Sequence, residues 1–96
     1  MLIDKGVTEG EVITLKLTSG EEIVAKLVED AVSYYKLSRP MVIGMGANGP
    51  GLMPYLFTVH PEKDVKLFKT TVTVVEATDK SFADQFIQAT TGIKLA

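Results

Sequence analysis

The 96 residues include no cysteine, no tryptophan and a single histidine. Without cysteine there are no disulfides and no thiolate metal sites. Nothing asks for an oxidising compartment, so a reducing cytoplasm is the expected location. Around the lone His60, a zinc ion would need three carboxylates, which is an unusual donor set. A surplus of positive charge is also missing. Ten Lys and Arg face twelve Asp and Glu, for a net charge of −2. That balance excludes the broad basic face of a duplex-DNA binder. It leaves room only for a local basic patch that assembly could concentrate. No apolar run approaches the roughly 20 residues that cross a bilayer, so no membrane partner is expected. Residues 1–10 carry Asp4 and Glu9 and have no apolar stretch, so they read as a loose arm and not a signal peptide.

Hydrophobic residues make up 46% and charged residues 23%, which suits one small folded domain and not a disordered chain. At this length a single core is thin, and association with further copies would bury more apolar surface.

The chain begins with strand signals. Residues 11–18 (EVITLKLT) alternate, with Ile13, Leu15 and Leu17 on one face. Ser19-Gly20 marks a turn. Residues 21–30 (EEIVAKLVED) alternate again, with Ile23, Ala25 and Leu27 together, so the two runs predict a hairpin. Residues 34–43 are rich in aromatic and β-branched side chains, and Pro40 inside them marks an edge, a bulge or a bend. Residues 44–51 hold four glycines and a proline and predict a flexible loop or wide turn. Residues 52–59 predict a fourth strand, with Met53, Tyr55, Phe57 and Val59 on one face and Pro54 at an edge. After the polar connection 60–64, residues 65–76 read as the fifth strand, strongest at 70–75 (TTVTVV). The period then changes. Thr78 or Asp79 can cap a helix whose stripe is Phe82, Ala83, Phe86, Ile87 and Ala89 or Thr90, with Gly92 as its C-terminal stop. The fold class expected is therefore mostly β: five strands over residues 11–76, then a C-terminal helix and tail over 77–96.

The residues that could carry chemistry are few. No nucleophile elbow, metalloprotease, phosphate-loop or dinucleotide fingerprint occurs. The glycine-rich 44–51 lacks a Gly-Lys-Ser/Thr ending and precedes a strand and not a helix, so it is not an anion cradle. Glu21-Glu22 sits at a turn and Glu29-Asp30 at a strand end, both ordinary solvated positions. A small enzyme would need His60, Glu62 and Asp64, neighbours in one loop, to converge in a pocket. No enzyme and no cofactor are expected.

Five short strands in a chain of this size suit a small barrel, and the first hairpin narrows the choice of family. VITLKLTSGEEIVAKLVED resembles the first motif of the Sm, LSm and Hfq family. Val12–Leu17 stands for its apolar strand and Ser19-Gly20 for its turn. Ala25 is the small residue of its second strand, and Asp30 the terminal acid. LFKTTVTVV at 67–75 is similar to the last motif, with Phe68-Lys69 as an aromatic-basic pair before the final strand. The C-terminal helix and Thr91-Gly92-Ile93 look like the divergent Sm-like proteins of bacteriophages, particularly marine cyanophages. The glycine-rich 44–51 and the position of the helix depart from ordinary Sm proteins.

The resemblance implies a five-stranded Sm-like barrel that pairs its fourth strand (52–59) with the fifth strand (70–75) of the next copy. Head-to-tail contacts of this kind close into a cyclic homo-oligomer, here about five to seven subunits. It also implies single-stranded RNA at the pore or a ring face, bound by base stacking and edge hydrogen bonds. Carried over by position, Asp30 matches the family's acid, and Tyr34 stands where the family has an Asn that reads a base edge. Ser33 stands where a stacking residue belongs, and Tyr34 or Tyr35 could stack instead. Lys69 matches the basic residue of the last turn, Thr70 stands where the Hfq branch has a His, and the Arg-Gly of Sm proteins is absent. The RNA-binding set is therefore Asp30, Tyr34, Tyr35, Lys69 and Thr70. Taken one by one, Tyr34, Tyr35 and Lys69 read better as core packing, a strand-surface position and a solvated charge; only their repetition around one pore makes a site of them. The competing expectation is a protein-interaction or scaffolding ring without nucleic acid, with a partner reached through Phe82 and Phe86 if that stripe is exposed.

Overall fold

The computed structural model describes residues 6–91. The chain is mostly β with one C-terminal helix. Its elements are β1 (Val12–Leu17), β2 (Glu22–Asp30), β3 (Tyr34–Gly46), β4 (Gly49–Pro54), β5 (Val65–Phe68), a 3-10 turn (Lys69–Thr71), β6 (Val72–Ala77) and α1 (Lys80–Thr91). Six strands replace the expected five. They form one open antiparallel sheet in the order β4-β3-β2-β1-β6, with β5 also paired to β3. The edge formed by β4 and β5 and the edge formed by β6 are not joined to each other.

The first hairpin follows the alternation of its sequence. Ile13, Leu15, Ile23, Ala25 and Leu27 are fully buried. Their partners in the core are Leu17, Tyr35 and Leu37, with Val42, Tyr55, Val65, Leu67, Val72 and Val75 packed around them. Fully burying one such aliphatic side chain stabilises by about 1.5–3 kcal/mol. Residues before β1 are tied to the same hairpin. Val7 packs on the core, the Gly10 amide donates to the Leu27 carbonyl at 2.7 Å, and the Asp30 amide donates to Glu9 Oε2 at 3.0 Å.

β3 is long because it serves two partners on one edge. Tyr34–Leu37 pair with β5, and Met41–Gly46 pair with β4. Between these stretches, Arg39 and Pro40 together oppose the single residue Ala25. This is a bulge, one of the three outcomes expected of Pro40. Arg39 takes φ 52°, a left-handed conformation uncommon for a residue with a side chain. A second bulge lies at Val28, this time on β2.

Three expectations from the sequence are corrected here. Residues 44–51 are not a loose loop: they are the facing ends of β3 and β4, joined by the two-residue turn Ala47-Asn48. Gly49 follows at φ 104°, which glycine adopts without a Cβ clash. A Cβ on Gly44 would stand 3.1 Å from Met53 Cε, so glycine lets Met53 lie across the hairpin. The fourth strand is accordingly Gly49–Pro54 and not 52–59, because the glycine register sets where pairing starts. Residues 55–64 are irregular, so Phe57 belongs to no strand face and is 82% exposed. Finally, the run 65–76 is two strands. Its carbonyls and hydroxyls close a 3-10 turn at Lys69–Thr71, where Thr71 Oγ1 donates to the Phe68 carbonyl at 2.8 Å. Pro54 does sit on an edge strand.

The helix is capped as its sequence predicts. Asp79 Oδ2 accepts from the Ser81 amide at 3.2 Å and from Ser81 Oγ at 2.7 Å, which satisfies one orphan amide of the first turn. These bonds hold the Asp79 carboxyl below its usual range, the Ser81 side chain contributing most. Thr14 Oγ1 and Thr78 Oγ1 share a hydrogen bond of 2.8 Å, which places the helix start on the face of β1 opposite Ile13 and Leu15. On that outer face Val24 is 2% exposed, and Phe86 of the helix is buried to 3%. Phe82 and Ala83 are half-buried, whereas Ile87 and Ala89 are exposed. The helix uses Phe86 to dock on its own sheet. Gly92 lies outside the described residues. No helix among the described residues is long and apolar enough to cross a membrane.

Candidate functional site

Two turns meet at one end of the sheet. The first joins β2 to β3 (residues 31–33), and the second is the 3-10 turn between β5 and β6. The Lys69 amide donates to the Ser33 carbonyl at 2.9 Å, and the Ala31 amide donates to the Tyr34 carbonyl at 3.0 Å. The backbone therefore fixes the two turns side by side, although 39 residues separate Asp30 from Lys69.

All five candidate residues lie at this junction, but they divide between two faces. Successive residues of a strand point to opposite sides. Tyr35 faces the core, is 8% exposed and pairs with Asp30 in the ladder. Lys69 covers it, with Nζ 4.7 Å from the Tyr35 ring centroid and 2.6 Å from Asp30 Oδ1. The Asp30 hydrogen bond, backed by its charge, raises the Lys69 pKa. Asp30, Tyr35 and Lys69 are thus a closed set at the rim of the core. The Tyr35 ring is not open for stacking, and the acid and base neutralise each other. Thr70 is exposed in the middle of the 3-10 turn.

Tyr34 faces the other way. Its ring meets Phe68 edge-on, with centroids 6.4 Å apart and planes at 78°. Lys66 Nζ stands 5.0 Å from the Tyr34 centroid, within the range of a cation–π contact. The register explains the grouping: Tyr34 is opposite Phe68, and Lys36 is opposite Lys66. Phe68 is 55% exposed. Lys36 is paired with Glu29 at 3.6 Å, whereas Lys66 has no ion pair among the described residues. The outer face here is a small platform of two aromatic rings bordered by cations.

Phe68 and Lys66 are the residues missing from the sequence-derived set. The alternation Val65-Lys66-Leu67-Phe68 carried the signal, because Val65 and Leu67 turn inward to the core and send Lys66 and Phe68 outward. Reading 65–76 as one strand hid it. His60, Glu62 and Asp64 lie in the irregular connection. His60 Nδ1 accepts from the Glu62 amide at 3.2 Å. Among the described residues there is no cluster of three or more metal-ligating side chains. No protein-family model matches this sequence, and no curated protein matches it.

Proposed function

We propose that this protein is a subunit of a ring-forming Sm-like binding protein, acting in a reducing cytoplasm, that holds single-stranded RNA on the Tyr34–Phe68 face. The observation that carries the RNA part of the reading is the exposed Phe68 ring beside the half-buried Tyr34, with Lys66 over the Tyr34 ring. Every base offers a π-face, so an aromatic platform beside a cation binds single strands with little sequence demand. In this reading Tyr34 and Phe68 take the bases and Lys66 the backbone phosphate. The Lys69–Asp30 pair and the Lys69–Ser33 bond hold the platform in place, and Thr70 borders it.

The Sm-like part rests on the order of elements and on the resemblance of the first hairpin. A bulged β3 receives β5 and β4 on one edge, and a 3-10 turn leads from β5 to β6. If β4 and β5 are the two halves of a single interrupted fourth strand, the path becomes a five-stranded small barrel followed by a helix. The edge of β4 and β5 in one subunit would then pair with the β6 edge of the next, where Val74 is 50% exposed. Unpaired edges invite strand addition, and a head-to-tail contact of this type closes at about five to seven copies. No catalysis is assigned.

The second reading is a scaffolding ring without RNA. Its specific support is that two of the nearby lysines, Lys36 and Lys69, are already paired with Glu29 and Asp30. One measurement separates the readings: light-scattering mass with and without labelled oligo-U and oligo-A at low salt. The RNA-binding ring predicts a mass about five to seven times that of the chain. Bound RNA should be lost as salt rises. Replacing both Tyr34 and Phe68 by Ala should weaken RNA binding by about 1–3 kcal/mol per lost stacking contact. A ring that ignores both oligonucleotides favours scaffolding, and a monomer overturns the Sm-like reading.

A further inference from the structure

Where β3 passes from one edge partner to the other, the sheet opens into a cleft of about 390 Å³. The bulge residues Arg39 and Pro40 form its floor, the connection 55–64 one wall, and Ala89 of the helix another. Its size lies in the range of small-molecule sites. The composition of its lining is asymmetric. Met41, Leu56, Phe57 and Val59 supply apolar wall, and the polar side chains present are Arg39, His60 and Lys63. No Asp or Glu lines it, in a chain where acids outnumber bases.

Each polar side chain has a donor to offer. Arg39 donates one hydrogen bond to the Thr90 carbonyl at 2.6 Å, near the negative end of the helix, and among the described residues the rest of its guanidinium fork has no partner. The left-handed backbone of Arg39 is a strained conformation, of the kind that collects at ligand sites. The Glu62 amide occupies His60 Nδ1, so the neutral ring carries its proton on Nε2 and presents a donor. Lys63 has no ion pair among the described residues, and its amide closes the same turn on the His60 carbonyl at 3.0 Å.

We propose that this cleft binds a small organic anion: an apolar body against Met41, Leu56 and Phe57, with one carboxylate or phosphate held by Arg39, His60 and Lys63. This site is separate from the Tyr34–Phe68 platform and does not depend on the RNA reading. Two sources share the chemistry, a fatty carboxylate and a nucleoside monophosphate.

The test uses the full chain and the fluorescent aromatic anion anilinonaphthalene sulfonate, with uncharged phenylnaphthylamine as its control. The sulfonate should bind saturably at one site per chain, and more tightly than the neutral probe. Lys63→Gln should weaken it about threefold, as expected for an exposed charge contact. Arg39→Gln should weaken it about tenfold, as expected for a charge-assisted hydrogen bond. Val32→Ser, at an exposed apolar residue outside the cleft, should leave it unchanged. Displacement by decanoate identifies a fatty carboxylate, and displacement by uridine monophosphate a phosphate ester. Equal affinity for the neutral probe, no effect of Lys63→Gln, or displacement by neither competitor overturns the proposal. If Arg39→Gln fails to fold, Lys63→Gln, in the exposed connection, decides.

Discussion

The first hairpin and the longer stretch from Arg39 to Asp64 are similar in apolar content, yet they fold by different means. In the hairpin, side chains decide. Alternate residues of β1 and β2 are driven out of water, and five of them reach zero exposure. In the later stretch the backbone decides. Two bulge residues, a left-handed glycine and prolines on an edge strand fix the path, and Met45 and Phe57 are left largely exposed and Met53 half-exposed. Hydrophobic burial is redundant, because many side chains support the same answer. Backbone constraints are local, and each governs one step of the chain.

The comparison breaks most visibly at the core. Leu15→Ala should cost about 2–5 kcal/mol, from lost burial plus the cavity left behind. Met53→Ala, at an apolar residue of comparable size, should change stability by less than about 0.5 kcal/mol. Urea unfolding of both variants checks this, and equal losses would mean that Met53 is covered in solution, as it would be by a neighbouring subunit. Next come the glycines. Gly20 at φ 108° and Gly49 at φ 104° have nothing within 4 Å of a built Cβ. Gly→Ala at either should therefore cost about 1 kcal/mol purely through conformation. Equal costs at the two positions would show that backbone demands are alike in both regions and that only side-chain burial separates them.

The smallest effect tests the helix that lies over both regions. Asp79→Ala removes the cap and should lower the melting temperature by a few degrees. Because the folded carboxyl titrates below its unfolded value, its contribution is complete above the ordinary Asp range. It is lost as pH falls through the lowered folded value. Melting curves taken at descending pH should converge for wild type and Asp79→Ala, and parallel curves would refute the cap.

The same contrast explains what could be read in advance. β1, β2 and the Asp79-capped helix were legible because period and capping chemistry are written in consecutive residues. The end of β4 was not. Met53, Tyr55, Phe57 and Val59 alternate like a strand, but the ladder set at Gly49 ends at Pro54, followed by one last bond from the Tyr55 amide to the Pro40 carbonyl. The candidate site was half legible. Asp30 and Lys69 are brought together, but as an ion pair closed over Tyr35. Phe68 and Lys66 join Tyr34 only because the 3-10 turn breaks the run 65–76, and valine- and threonine-rich sequence conceals such a break. Tyr35, adjacent to Tyr34, went to the core because a strand divides neighbours between faces.

The two bulges between β2 and β3 have one more consequence. The extra residue at Arg39-Pro40 lies on β3, and the extra residue at Val28 lies on β2, so the offsets have opposite sign and cancel. Asp30 to Tyr35 and Ile23 to Val42 therefore share one frame, while Lys26–Leu27 and Leu37–Ser38 between them run in another. A deletion at either bulge therefore removes only the extra residue: without Arg39, Pro40 alone would oppose Ala25, with Lys26 still across from Ser38 and Val24 across from Met41. A deletion anywhere else in this ladder shifts one strand by a position and turns its inward side chains outward. The two bulges are thus the points at which β2 and β3 can change length independently while every side chain keeps its face.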